Sequence, residues 1–285
     1  MKYTLKELIS AGNELLRHAG VENAGYDAEA LLRFETGHDR QQVFLNRDFP
    51  VDEALARRYY ALVFRRSAGE PLQYITGEQY FMGHRFAVDP SVLIPRPETE
   101  ILAEKAIDYV KTYTGAENGI PVVLDLCTGS GALAISIAKA CPRTRVIASD
   151  ISEDALDTAR RNAFDLGADC NTEFILSDLF ESIDMEFDLI VTNPPYVRTG
   201  ELPGLQREIR EHEPLSALDG GEDGLKYYRL IAAGTKDHLR KGGCLIAEIG
   251  MDQARSVSDI FRAAGFAQIE VFQDFAGRSR IIKII

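Results

Sequence analysis

The sequence predicts an α/β chain: a mostly parallel sheet of seven strands with an antiparallel last strand, preceded by a small helical domain. Three observations predict it. From Pro121 onward, short runs rich in Val, Ile and Leu alternate with amphipathic stretches of helical length, the pattern of βαβ units. Before Gly69, apolar residues recur only at helical spacing. The last two strand candidates have no helix between them, only Asp274-Phe-Ala-Gly-Arg278, so they pair as a hairpin and one of them runs against the rest.

In chain order, Met1–Leu16 reads as an amphipathic helix through Leu5, Leu8, Ile9, Leu15 and Leu16. Breaks at Gly20–Gly25, Gly37–Asp39 and Pro50 divide the region up to Gly69 into four or five helices, with Leu31 and Phe34 in one and Leu55, Tyr59, Leu62 and Val63 in another. The Phe and Tyr residues here are read as core. Residues 71–97 change character: Tyr74–Gly77, Gln79–Phe81 and His84–Val88 are extended pieces forming a β-hairpin linker. Glu98–Val110 reads as a helix with Pro97 at its first position and acids in its first turn. Strands follow at Val122–Leu126, Arg145–Ser149, Glu173–Leu176, Asp188–Thr192, Gly243–Ile249, Gln268–Phe272 and Ser279–Ile284. Helices are expected at Ala132–Ala140, Glu153–Leu166 and Gln253–Ala264. The domains implied are 1–70, a helical domain for partner recognition, 71–97, and 98–285.

Composition narrows the function classes. The 285 residues carry a net charge of −12, and the 10 Lys and Arg against 11 Asp and Glu of Met1–Ile75 leave that region nearly neutral. Neutralising phosphates needs clustered cations, so a protein or small molecule is a better default partner than a duplex. Four scattered cysteines (Cys127, Cys141, Cys170, Cys244) and five dispersed histidines make no ligand spacing, so no metal is expected. No apolar run spans a membrane, Met1–Leu16 lacks the unbroken apolar core of a secretory signal, and a cytoplasmic location is expected.

Two stretches carry chemistry. In Asp125-Leu-Cys-Thr-Gly129-Ser-Gly131 a strand runs through a glycine turn into a helix whose first N–H groups are free for a ligand, and Asp150 ends the next strand, placed to bind two ribose hydroxyls. Gly129-x-Gly131-x-x-Ala134 with an acid about 20 residues on also satisfies the dinucleotide fingerprint. That segment alone leaves a nicotinamide or flavin enzyme open. The second stretch, Asn193-Pro194-Pro195-Tyr196, follows a buried strand. Two prolines make a rigid loop that presents carbonyls. The Asn193 side-chain oxygen and the Pro194 carbonyl can each accept one N–H of a planar amide or arylamine, aiming its lone pair and stabilising charge that grows on nitrogen. Tyr196 is expected to stack on the flat acceptor.

The Asp-x-x-x-Gly-x-Gly pattern is similar to the first motif of class I, Rossmann-like, methyltransferases, and Asn-Pro-Pro-Tyr is shared by enzymes that methylate adenine N6, cytosine N4 and glutamine N5. The whole chain resembles the peptide chain release factor N5-glutamine methyltransferase family. The resemblance is carried by Glu70–Gly77, Leu93–Glu100, Ser177–Phe180, Glu213–Gly221 and Glu248–Gly250. It implies S-adenosylmethionine as cofactor, S-adenosylhomocysteine as product, and as partner a class 1 release factor with a Gly-Gly-Gln tripeptide. No stable nucleic-acid partner and no membrane are implied, and N6-adenine methylation is the alternative. By the same resemblance Cys127, Thr128, Gly129, Ser130, Gly131, Asp150, Asp178, Leu179 and Asn193 line the cofactor pocket, and Asn193, Pro194, Pro195 and Tyr196 hold the glutamine. The chain departs from the family at Cys127, where many members have glycine, a change tolerable if that residue keeps φ negative, and at Leu179, where some have tryptophan, so that a possible aromatic contact with the adenine is lost. Arg96, Glu98 and Glu100 are read either as a pocket border or as the capped start of a helix. Asp219–Gly224 is read as a flexible turn, Tyr227 and Tyr228 as packing in or beside the sheet, and Arg65-Arg66 as a solvated face.

Overall fold

Thr4 opens the first helix: its hydroxyl accepts the Glu7 amide at 3.2 Å, and the Glu7 carboxylate accepts the Thr4 amide at 2.8 Å. This reciprocal cap stops the helix from starting earlier. Tyr3–Thr4 (β1) instead pairs with Pro50–Val51 (β2), while Met1 and Lys2 of the expected helix lie outside the described residues. The computed structural model describes residues 3–115 and 119–285. They divide into two units, one of residues up to Gly77 with Gln206–His212, the other of Glu78–Leu205 with Glu213–Ile285.

The first unit is helical, with α1 (Leu5–His18), α2 (Ala24–Thr36), α3 (Arg40–Leu45), α4 (Glu53–Ser67) and α5 (Leu72–Thr76). Leu8, Leu16, Leu31, Leu32, Tyr59 and Val63 are its fully buried centre. Three expectations fail here. Tyr74–Thr76 is helical rather than extended, because Gly77 at φ 74° closes α5 as a left-handed cap. Tyr26, Phe34, Phe44, Phe49 and Phe64 are exposed, since the short helices leave those faces uncovered. Arg66 is buried, not solvated. It pairs with Asp27 at 2.7 Å, donates to the Glu70 carbonyl at 3.0 Å and pairs with Glu208 from the later segment of this unit. Paired and hydrogen-bonded in this way, the charge tolerates its burial.

In the second unit, Glu78–Phe81 (β3) and His84–Ala87 (β4) form a separate hairpin. Then come α6 (Pro97–Thr112), β5 (Val122–Leu126), α7 (Ala132–Ala140), β6 (Arg145–Asp150), α8 (Glu153–Leu166), β7 (Thr172–Leu176) and β8 (Phe187–Thr192). After the excursion that carries α9 (Arg207–His212), the chain forms α10 (Lys226–His238), β9 (Leu239–Glu248), α11 (Ala254–Ala263), β10 (Ile269–Gln273) and β11 (Ser279–Ile284). Among the described residues the sheet has seven strands in the order β10-β11-β9-β8-β5-β6-β7, with β11 antiparallel to both neighbours and the other pairs parallel. Alternation of side chains along each strand splits the core. Val123, Leu189, Val191 and Ile246 join α6 and α7 on one side, and Leu124, Ile190, Leu245 and Ile282 join α10 and α11 on the other. Helix α10 is absent from the sequence reading, although Tyr228, Ile231, Ala232 and Thr235 form its buried stripe. Among the described residues no helix is long and apolar enough to cross a membrane.

The order places β5 beside both β6 and β8 at the centre, so the strand order reverses there. Loops leaving the carboxyl ends of β5, β6, β7 and β8 therefore converge, as they do where open α/β sheets bind ligands.

Candidate active site

The loop after β5 is held from beneath by Asp125. One of its carboxylate oxygens accepts the Thr128 hydroxyl at 2.6 Å and the Ala134 amide at 3.1 Å, tying the turn to the first turn of α7. Burial pushes the Asp125 carboxyl up to about 7, against those two hydrogen bonds. Its second oxygen is buried with no hydrogen-bond partner among the described residues. The turn itself alternates into the left-handed region, at φ 60° for Cys127, 55° for Gly129 and 80° for Gly131. Cys127 thus does not meet the condition of a negative φ, because the chain must reverse in very few residues between strand and helix, and the conformation costs a non-glycine residue about 1–2 kcal/mol. Burial and the nearby Asp150 and Asp125 carboxylates push the Cys127 thiol up, which keeps it protonated and poorly nucleophilic. Gly131 has a second constraint: a Cβ there would lie 2.8 Å from the Ile135 methyl and 3.1 Å from Cβ of Ala159. No such obstacle faces Gly129, which opens onto the cleft.

Asp150 ends β6. Its carboxylate accepts the Gly129 amide at 2.9 Å and the Ser152 amide at 3.0 Å, so the loop and the acid orient each other. Burial raises its pKa, opposed by these amides. Beyond β7, Leu179 is also left-handed (φ 49°), its carbonyl accepting the Ser177 hydroxyl at 2.8 Å.

The stretch after β8 is fixed at many points. Thr192 donates its hydroxyl to the Leu126 carbonyl at 3.0 Å, and the Asn193 side-chain Nδ2 donates to the Thr99 hydroxyl at 3.2 Å. Thr99 in turn donates to one oxygen of Glu248 at 2.6 Å, and the Tyr196 hydroxyl donates to the other at 3.0 Å. Glu248 is 1% exposed, and its burial raises the carboxyl despite those donors. The Tyr196 carbonyl accepts from Gln253 at 3.0 Å. Asp219–Gly224 is no flexible turn: Gly220 donates its amide to Val197 at 2.7 Å, Val197 donates to Leu218 at 3.0 Å, and Asp219 accepts from Thr199 at 2.7 Å. It backs the Asn193–Tyr196 loop.

These elements line one cleft. Cys127, Gly129, Asp150, Asp178, Leu179, Asn193 and Pro195 line it, bringing both sequence-derived groups of residues together. Thr128, Ser130, Gly131, Pro194 and Tyr196 are not on its wall. The first three shape the glycine turn, Pro194 is buried, and the Tyr196 ring is tethered at its hydroxyl. Residues that sequence reasoning missed complete the lining: Ser91, Val92 and Leu93, then Ile151, Ser152, Ala155 and Ser177, and finally Pro214, Ser216, Ala217 and Tyr227. Leu93, Ser177, Pro214, Ser216 and Ala217 lie within stretches that carry the family resemblance, and Ile151 directly follows Asp150, so a signal for them was present. Arg96 pairs instead with buried Glu213 at 2.5 Å, and Glu100 accepts the Met82 amide at 2.5 Å; neither lines the cleft.

Chemically, the cleft offers apolar Ile151 and Leu179, carboxylates at Asp150 and Asp178, and backbone at Gly129. Opposite stands a side-chain amide held at the cleft wall. A concave, partly apolar cleft with a few convergent polar groups is the form a small-molecule site takes.

Comparison with known proteins agrees. Residues 7–77 match the PrmC N-terminal domain model and residues 116–210 the methyltransferase small domain model. A release factor glutamine methyltransferase of Geobacter sulfurreducens is 40% identical over 281 residues, 98% of this chain and 96% of the relative. One of Burkholderia pseudomallei is 41% identical, covering 97% of this chain and 96% of the relative. Among solved structures, the hMettl16 catalytic domain aligns with TM-score 0.56 at 12% identity, covering 82% of each chain. A methyltransferase from Pyrococcus furiosus aligns at 0.51 and 16% identity, covering 80% of this chain and 98% of that one. At such identities these structures speak to the fold alone, and the fold agrees.

Proposed function

The chain belongs to the release factor glutamine methyltransferase family, and from that premise we propose that it methylates the side-chain amide nitrogen (N5) of the glutamine in the Gly-Gly-Gln motif of a class 1 peptide chain release factor, with S-adenosylmethionine as donor. The observation that supports this most is that Gly129, Asp150 and Asn193 line one cleft at the carboxyl edge of the sheet.

The residues fit the cofactor. Asp150 would accept the two ribose hydroxyls, Ile151 and Leu179 would cover the adenine with Asp178 at its polar edge, and the open backbone at Gly129 would meet the amino-acid tail. S-adenosylmethionine supplies, when bound, a methyl group activated by its sulfonium. The chain's own contribution is orientation. A glutamine amide has a delocalised, weakly nucleophilic lone pair. With one N–H accepted by Asn193 Oδ1 and the other by the Pro194 carbonyl, that lone pair is aimed at the methyl carbon, and the charge growing on nitrogen meets two fixed dipoles. As the N–C bond forms and the S–C bond breaks, the nitrogen becomes acidic enough to lose its proton to water, so no general base is needed in the transfer.

Partner selection is assigned to the helical domain (residues 1–70), whose exposed Tyr26, Phe34, Phe44, Phe49 and Phe64 would otherwise be poorly placed in water. Residues 71–97 connect it to the chemistry of 98–285, and the cytoplasm is the compartment such a substrate requires.

Transfer of tritium from labelled S-adenosylmethionine tests the proposal. Release factor, release factor with the Gly-Gly-Gln glutamine replaced, and nucleic acid are offered in parallel. Label on the wild-type factor alone is the expected result. Label on nucleic acid would replace it with adenine methylation.

A further inference from the structure

We infer that Thr99 and Glu248 are positioning residues that decide which end of the Asn193 amide faces the acceptor. This rests on the methyl-transfer reading above and concerns how that site is oriented.

An asparagine amide presents either its oxygen or its NH2 group, and the two ends are nearly the same size. Only the oxygen can accept the N–H of a glutamine amide. A flipped Asn193 would point donors at donors, so something must hold the rotamer. The chain supplies it through a directional relay. Strand pairing sets Thr192 opposite Ala247, which brings Asn193, at the end of β8, beside Glu248 at the end of β9. Thr99, in the first turn of α6, stands between them, 6% exposed. Its hydroxyl has one proton, given to Glu248 at 2.6 Å. Toward Asn193 it therefore shows only a lone pair, which accepts Nδ2 at 3.2 Å. With Nδ2 held, Oδ1 is the end left for the cleft that Asn193 lines.

Glu248 can anchor the relay because both its oxygens accept hydroxyl protons, from Thr99 and from Tyr196. As an acceptor of both it fixes the sense of each bond. The same carboxylate thus holds the first and last residues of Asn193–Tyr196. A glutamine at 248 would present one donor and one acceptor, allowing the Thr99 hydroxyl to turn toward Asn193 and the amide to flip.

The test uses Thr99→Val, Thr99→Ser, Glu248→Gln and Asn193→Ala in the full chain, with release factor as substrate. Measured quantities are kcat, KM, S-adenosylhomocysteine affinity and thermal midpoint. Thr99→Val is expected to lower kcat by roughly 10- to 100-fold, with KM and cofactor affinity within about threefold of wild type. Thr99→Ser keeps the hydroxyl and should restore kcat to within about threefold. Glu248→Gln should resemble Thr99→Val. A purely structural role predicts the opposite split, a lowered midpoint with kcat retained by the folded fraction, and a Thr99→Val enzyme with wild-type kcat would overturn the relay. So would a serine variant as impaired as valine.

A second readout does not depend on turnover. The Asn193 side-chain amide signals, assigned by their loss in Asn193→Ala, should show one proton protected from solvent exchange in wild type and neither in Thr99→Val. If the wild-type enzyme labels no release factor, the proposed substrate falls while this exchange difference still decides the relay; equal exchange in both proteins overturns it.

Discussion

At Cys127 the chain holds a non-glycine residue at φ 60°, flanked two and four residues on by glycines in the same region. The side chain is the costly part of that arrangement, and the backbone shape is what the cleft uses. Cys127→Gly is therefore expected to keep activity and to leave stability unchanged or raised by up to about 1 kcal/mol, relief of strain being partly offset by the greater freedom of the unfolded chain. Cys127→Val, β-branched at the same φ, should lose about 1–2 kcal/mol. Urea unfolding of the pair measures both. Asn193 is the opposite case, since its value lies in the side chain. Asn193→Ala should abolish turnover while S-adenosylmethionine affinity stays within about threefold, read by tritium transfer and by calorimetric titration. Retained turnover in that variant would remove the proposed orientation of the acceptor. Both residues stood out in the sequence, one as a departure from a glycine and the other as the head of Asn193–Tyr196. The sign of φ at Cys127 did not, because it follows from how tightly α7 must turn back on β5.

Strands β5 to β8 and helices α7 and α8 were legible because each is a local pattern, alternation of two in one case and a stripe of 3.6 in the other. Helix α10 was missed even though its stripe is present, as it follows the glycine-rich Asp219–Gly224, which reads as loop. That segment proves to be a rigid support. Its hydrogen bonds to Val197 and Thr199 need partners some twenty residues away, which a local reading cannot see. Gly220 carries the closest approach: a Cβ there would be 2.7 Å from Cα of Tyr196 and 2.9 Å from the Pro195 carbonyl oxygen. Backbone cannot yield as a flexible side chain can. Gly220→Ala should thus displace the acceptor loop, cost about 1–3 kcal/mol in stability and lower kcat more than cofactor affinity. Thermal unfolding alongside steady-state kinetics would show it, and an alanine variant matching wild type in both would mean the loop is free to move.

Among the described residues, four carboxyls are raised by burial: Asp27 in the helical unit, and Asp125, Asp150 and Glu248 around the site. For Asp125 the shift runs from the ordinary 3.8 to about 7. Between those values the folded chain keeps a proton that the unfolded chain has released. This contribution is therefore most favourable below the lower value and is lost as pH rises through the upper one, on the order of a few kcal/mol. Asp125→Asn, which can still accept from Thr128 and Ala134, should lose less stability than wild type between about pH 4.5 and pH 8. Urea unfolding at both pH values decides it; a parallel decline in the two proteins would mean Asp125 does not titrate in that window. The sequence by itself determined the alternation of strands and helices, the glycine turn with Asp150 at the end of the next strand, and the proline-locked Asn193–Tyr196 loop. Each is written in residues close together in the chain, where backbone preference and side-chain period act directly. Only the tertiary structure decided that Arg66 is buried between two acids, that Gln206–His212 returns to the helical unit, and that Thr99 and Glu248 meet at Asn193. Those are polar groups distant in sequence. Their partners exist only once the sheet has set its strand order and burial has left each donor a single acceptor to find.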